Sequence, residues 1–328
     1  MYLGVDGGGT KTAFCLLDAA GTVRAEALGP STSPALGPDG LENARQVLRS
    51  GIAEVCRQAG TDAGALTHAY LGLPGHGESV SLTRALDALP AQVLGHDRYG
   101  VGNDMVCGWA GSLGLADGIN VISGTGSMAY GVVEGREARV GGWGELFGDE
   151  GSAHWIALRG LNLFTRRSDG RNPPGPLTEI LRRHLALGTD LELIDAMLLA
   201  RPGRTGVAAL SRQVSEAARA GDAACARILT EAGQELAELA RTARRKLVAA
   251  PDRPVPVSWS GGVLGVPQVR EAFVSALAAF PERYETRRPR HTPVIGAALL
   301  AARLAGEPLS ERAGETLPLP SGEVDGTV

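Results

Sequence analysis

Three short glycine-rich segments each follow an apolar run: Asp6-Gly7-Gly8-Gly9-Thr10, Gly124-Thr125-Gly126-Ser127 and Ser260-Gly261-Gly262. A phosphate is held by backbone N–H groups aimed inward, and glycine lets the backbone come close enough to do so. Any one such segment is an ordinary tight turn. Three of them, the first opened by a carboxylate, point to a nucleotide phosphate. None has the spacing of a Walker loop or of a dinucleotide fingerprint. Asp6 and Asp104 both stand at the ends of strand-like runs beside glycine-rich backbone. Phosphoryl transfer uses one carboxylate to help hold magnesium and another to orient and deprotonate the attacking hydroxyl. Asp104 also precedes a helical stretch, so a helix cap is the plainer role for it.

A fourth segment, residues 141–153, mixes glycines with Trp143 and the carboxylates Glu145, Asp149 and Glu150. Such a mixture makes a poor core strand or helix. It suits a loop that grips a polyhydroxylated ligand, with carboxylates accepting hydroxyl hydrogen bonds and an aromatic face covering the apolar side of a ring. An ordinary surface loop with a buried Trp is the alternative.

The elements that must position these groups are legible as two copies of one arrangement. Residues 2–6, 13–18 and 23–28 are short apolar runs joined by tight turns, which predicts an antiparallel meander. Asp39 reads as an N-cap, and Leu41, Ala44, Val47, Leu48, Ile52 and Val55 recur at helical spacing. A strand over 68–73, a helix over 78–88, a strand leading to Asn103-Asp104 and a helix after it follow. The pattern then restarts with a buried strand at 118–123, a Gly/Thr/Ser turn, and a hairpin through 128–133 and 138–140. Self-similarity at this spacing is too long for a solenoid and predicts two similar domains. Residues 176–250 read as helical, with a long segment over 222–249. A strand at 255–259, a helix through Phe280 and a last helix at 293–305 complete the chain. The polar tail after Gly306 is expected to be poorly ordered.

The chain has 328 residues, room for two ordinary domains, with 44% hydrophobic and 21% charged residues. Net charge is −4. The densest positive spot is Arg287, Arg288 and Arg290, which reads as a solvated loop, so nucleic acid is not an expected partner. The four cysteines, Cys15, Cys56, Cys107 and Cys225, form no CxxC pair and match no metal-site spacing. They are expected to be reduced in a cytoplasmic protein. Neither a signal peptide nor a membrane span is expected.

Taken in order, Asp-Gly-Gly-Gly-Thr, Asn-Asp, Gly-Thr-Gly-Ser, the 141–153 loop and Ser-Gly-Gly-Val resemble the N-acetylglucosamine kinase branch of the activator-ATPase family. The resemblance runs from residue 1 to about 304, and the 141–153 loop is its most specific part. It implies an α/β fold of two actin-like ATPase (ribonuclease H-like) domains with a central cleft: domain I over 1–114 plus 293–328, domain II over 115–292. It implies ATP and Mg²⁺, with transfer of a phosphoryl group to the 6-hydroxyl of N-acetylglucosamine. Gly7, Gly8, Gly9 and Thr10 become the first phosphate hairpin, and Asp6 the magnesium ligand, through water. Gly124, Thr125, Gly126 and Ser127 become the second hairpin, with Thr125 and Gly126 also near the sugar. Asp104 becomes the catalytic base, Trp143 and Asp149 contact the sugar, and Gly261 and Gly262 pass beside the adenosine. The family usually carries Asn after the Ser-Thr pair that follows the meander. Here Ser33 takes that place and the sugar contact that goes with it. Glucosamine and N-acetylmuramic acid are alternative substrates, and a homodimer is a candidate assembly. An activator ATPase of a radical dehydratase is the alternative from another class. It would share an iron–sulfur cluster between cysteines of two subunits, and neither the second hairpin nor the 141–153 loop contains a Cys.

Overall fold

The first apolar run is buried on both faces from Tyr2 to Val5, the mark of a strand inside a sheet rather than at its edge. The computed structural model describes residues 1–33, 39–250 and 252–309. In it β1 (Tyr2–Gly7) is followed by β2 (Lys11–Leu17) and β3 (Val23–Pro30). These three strands pair antiparallel, the expected meander. β4 (His68–Gly72) lies parallel to β1, and β5 (Tyr99–Gly102) parallel to β4. The resulting order is β3-β2-β1-β4-β5.

Between these strands run α1 (Gly40–Gln58) and α2 (Val80–Leu94), and α3 (Asp104–Leu113) follows β5. Helix α1 buries Ala44, Leu48, Ile52 and Val55, one face at helical spacing. Asp39 stands at its N-cap position, but the side chain makes no cap bond. Its carbonyl alone accepts, from Asn43. Helix α2 runs six residues past the expected end at 88 because Leu89 and Leu94 still reach the core, despite Pro90 within it.

The second half repeats the plan. β6 (Gly118–Ser123), β7 (Ser127–Val133) and β8 (Arg136–Gly141) precede α4 (Ala153–Ser168). The region expected to be helical is broken into α5 (Pro176–His184), α6 (Glu192–Ile194) with a π-turn over Asp195–Leu199, α7 (Gly203–Ala209), α8 (Ser211–Arg219) and α9 (Ala223–Leu247). β9 (Val255–Ser260), α10 (Pro267–Ala279) and β10 (Tyr284–Thr286) follow. The second sheet is ordered β10-β9-β6-β7-β8. Read from the hairpin side this is the order of the first sheet, so the repeat legible in the sequence is a repeat of topology.

The last helix, α11 (Pro293–Leu304), is buried from Val294 to Ala302 and packs on β1, β4 and α3. The described residues divide into two units, Met1–Asn120 with 287–309, and Val121–Thr286. The expectation for the tail falls on residues beyond 309, outside those described.

Candidate active site

In the first unit the site begins at the C-terminal end of β1. Asp6 pairs in register with Ala13 on one side and Gly72 on the other. The Gly8 N–H donates to the Lys11 carbonyl at 2.8 Å and closes the turn. A side chain built at Gly9 would meet nothing within 4 Å, so the tip of this turn is open. Ser31 Oγ donates to the Gly8 carbonyl at 2.7 Å and accepts the Ser33 N–H at 3.0 Å. Buried Thr32 accepts from Thr12 at 3.3 Å. The Ser31-Thr32-Ser33 stretch is thereby latched to the hairpin, with Ser33 half-buried beside it.

Asp104 is the first residue of α3, and the cap is its neighbour. Buried Asn103 accepts the Met105 N–H at 3.1 Å and donates Nδ2 to the His76 carbonyl at 3.0 Å. The capping role open to Asp104 in the sequence therefore belongs to Asn103. Asp6 is pushed up to about 7, first by burial and then by the Asp104 carboxylate, with Lys11 acting in the opposite sense. Cys107, packed under both, is pushed well up by burial and by the same two carboxylates, so it stays a thiol. A carboxylate raised by burial and by a neighbouring carboxylate marks a place built for charge chemistry rather than for stability.

In the second unit the turn Gly124–Ser127 joins β6 to β7. It is closed by Gly124 N–H to the Gly126 carbonyl at 3.0 Å. As at Gly9, a side chain at Gly124 would meet nothing within 4 Å. The 141–153 loop is tied to this turn: Ser127 Oγ donates to the Glu150 carbonyl at 2.6 Å, and Ala153 N–H to the Gly124 carbonyl at 2.9 Å. Ser152 caps α4 by accepting the Trp155 N–H at 3.1 Å. Asp149 is buried and has φ +56°, a left-handed conformation that a non-glycine residue adopts only when held. One of its oxygens accepts the Ser127 N–H at 3.3 Å, and the other meets Arg204 Nη2. Arg204 Nε also lies 3.3 Å from Glu145.

Trp143, Leu146 and Phe147 are 73%, 88% and 75% exposed. Trp143 is thus not the buried residue of an ordinary loop. Gly261 and Gly262 lie at the end of β9, where Gly261 has φ +87° and sits against the Ser123 carbonyl. His154 is buried and its pKa is lowered, chiefly by burial, as expected of a packed residue.

Within the first unit the fold thus brings together Asp6, the open turn, Ser33 and Asp104. Within the second it brings together Gly124–Ser127, Asp149 and the exposed Trp143. Sequence reasoning missed Arg204, which lies 55 residues from Asp149 along the chain. No local motif announces it, since its partners become neighbours only when α7 docks. It also missed α4, whose Ser152 cap and buried Ile156, Ala157, Leu163 and Phe164 carried a readable helical signal.

Two sheets of the ribonuclease H-like order, each with an open glycine turn after its first strand, define the two-domain actin-like ATPase fold. Within that class the chain belongs to the BadF/BadG/BcrA/BcrD ATPase family, whose profile matches residues 3–301. It is 31% identical over 265 residues to the N-acetylmuramic acid/N-acetylglucosamine kinase of Clostridium acetobutylicum, covering 80% of this chain and 85% of that one. It is 29% identical over 317 residues to the N-acetyl-D-glucosamine kinase of Dictyostelium discoideum, covering 92% and 97%. A crystal structure from Chromobacterium violaceum, described provisionally as an N-acetylglucosamine kinase, superposes with a TM-score of 0.74 at 29% identity, covering 91% of this chain and 98% of that one.

Proposed function

We propose that this protein is a kinase that transfers the γ-phosphoryl group of ATP to the 6-hydroxyl of N-acetylglucosamine. The observation that carries the reaction class is the pair Asp6 and Asp104, with Asp6 pushed up by burial and by the Asp104 carboxylate beside an open phosphate-type turn. The substrate follows the relatives, two of which act on N-acetylglucosamine.

Asp104 is the general base. It accepts the proton of the attacking hydroxyl as the bond to phosphorus forms, and its place at the start of α3 holds it in the favourable field of the helix N-terminus. Gly7–Thr10 and Gly124–Ser127 present backbone N–H groups to phosphate oxygens. Gly261 and Gly262 border the adenosine. Trp143 covers a ring face, while Ser33, Thr125, Gly126 and Asp149 contact sugar hydroxyls. Asp6 is the residue that would hold magnesium, through water. A divalent cation, when bound there, would offset the Asp6–Asp104 repulsion and supply charge neutralisation at the phosphates. No group of three or more His, Cys, Asp or Glu gathers as a metal site among the described residues.

No helix among the described residues is long and apolar enough to cross a membrane. We place the enzyme in the cytoplasm, a reading supported by four buried, unpaired cysteines.

The test is a coupled assay of ADP release with N-acetylglucosamine, N-acetylmuramic acid, glucosamine and glucose, with product position read by NMR. Turnover on N-acetylglucosamine, with phosphate on the 6-oxygen, is expected. ADP release that ignores every sugar would overturn the kinase reading in favour of an activator-type ATPase. N-Acetylmuramic acid is the second reading, since the Clostridium relative is named for both sugars.

A further inference from the structure

Asp149 presents a problem of charge. Its side chain is 3% exposed, it sits in a left-handed backbone conformation, and a single backbone N–H, that of Ser127, reaches one of its oxygens. A buried carboxylate with so little support moves outward or takes up a proton. Here the second oxygen is met by Arg204, the second residue of α7. The same guanidinium turns its Nε edge to Glu145, 3.3 Å away, on the exposed part of the loop. A side chain built at Gly126 would strike Arg204 Nη2 at 2.3 Å and Asp149 at 2.9 Å, so the phosphate-type turn packs directly against this pair. One cation therefore ties together the outer loop, the buried carboxylate and the turn. The planar fork of Arg can span two carboxylates; the point charge of Lys cannot.

We infer that Arg204 is a positioning residue for the sugar, acting through Asp149 and Glu145 rather than on the reacting atoms. The inference rests on the kinase reading above. A carboxylate has about four lone-pair sites. Ser127 and Arg204 occupy two of those on Asp149 and leave the others for sugar hydroxyls. Without Arg204 the charge is unsupported, and the acceptor is lost as surely as if the carboxylate were removed.

The experiment measures kcat and KM for both substrates in the wild type, Arg204→Met, Arg204→Lys, Asp149→Asn and the double variant Arg204→Met/Asp149→Asn, with thermal denaturation of each. Arg204→Met is expected to raise the sugar KM at least about tenfold, the scale of a lost charge-assisted hydrogen bond. The ATP KM should stay within about threefold. In the Asp149→Asn background the same change should add less than about twofold, because the carboxylate that contacts the sugar is already gone. Arg204→Lys, which keeps the charge and the fold, should still raise the sugar KM several-fold. Multiplicative losses in the double variant would overturn the inference, as would a wild-type sugar KM in Arg204→Met or Arg204→Lys, or an equal rise in both KM values. If the wild type itself turns over no amino sugar, it is the kinase reading that fails, and the two failures are thus told apart.

Discussion

The two units share a sheet topology and treat their acids in opposite ways. In the first, Asp6 faces Asp104 and is pushed up to about 7, while Lys11 counters only in part. In the second, each buried carboxylate is met by a guanidinium. Asp149 has Arg204, and Asp222 has Arg167, with side chains 1% and 5% exposed and Nη1–Oδ2 at 2.6 Å. Asp222 also caps α9 through the N–H groups of Ala224 and Cys225 and accepts that of Leu177 on α5. One carboxylate pair is left in tension, and the other acids are each paired with an arginine. A tension that lowers stability persists only where something else is gained, and that is the physical ground for placing the chemistry at Asp6 and Asp104.

The contrast can be broken most sharply at the scaffold pair. Arg167→Leu leaves Asp222 buried without its cationic partner and should cost about 3–5 kcal/mol, read from urea denaturation. A loss below about 1 kcal/mol would mean that this pair is no more structural than the first unit's acids. Asp222 is held well below the usual carboxylate range, burial being outweighed by Arg167 and the backbone donors. Its stabilisation is therefore complete above the unfolded pKa of about 4 and disappears as pH falls towards its folded value.

Asp104→Asn should do the reverse: turnover falls at least about a hundredfold, about 2.7 kcal/mol of barrier, while binding of ATP and sugar changes less than about tenfold and the unfolding midpoint does not drop. Near-normal turnover would remove Asp104 from the role of base.

Asp6→Asn sharpens the same point through pH. The folded carboxyl titrates at about 7 and the unfolded one near 4, so between these values the folded state holds a proton that the unfolded state has lost. Stability from this group is present below about pH 4 and lost as pH rises through 7. Replacing Asp6 with Asn should therefore raise the melting temperature more at pH 8 than at pH 5, at the expense of activity. Equal shifts at both pH values would show that Asp6 is not under this strain.

The smallest effect is expected at Ser33. Its amide is already held by Ser31 Oγ, so Ser33→Asn only lengthens a side chain beside the hairpin. It should lower the sugar KM by about threefold or less, and a rise would mean that the longer side chain obstructs the sugar.

Much of this arrangement was readable before any coordinates. Strand–turn–strand runs at 2–28 and 118–140 are local patterns set by apolar periodicity and by where glycine allows a reversal, so the meanders and the topological repeat followed from them. Asp6 and Asp104 were legible because each sits at the end of its own apolar run. The capping role that the sequence left open to Asp104 falls to Asn103, one residue earlier, because Asn and Asp compete on equal terms for a cap. Only the backbone conformation, extended at Asn103 and helical from Asp104, decides between them. The breaks between α5 and α9 fall at Gly188, Pro202-Gly203 and Gly221, turn signals outweighed in the helical reading of 176–250 by the surrounding Ala, Leu, Glu and Arg.

The sequence by itself determined the two sheets, the open turns and the acids that end their strands, because each depends on neighbours a few residues away. Tertiary structure alone decided which acids would be neutralised. Asp149 and Arg204 are 55 residues apart, as are Arg167 and Asp222. Whether a carboxylate is paired, buried or left facing another is a matter of a few ångströms of packing, which composition and periodicity do not encode. That choice separates the second unit's braced acids from the charged pair at the end of β1 and the start of α3.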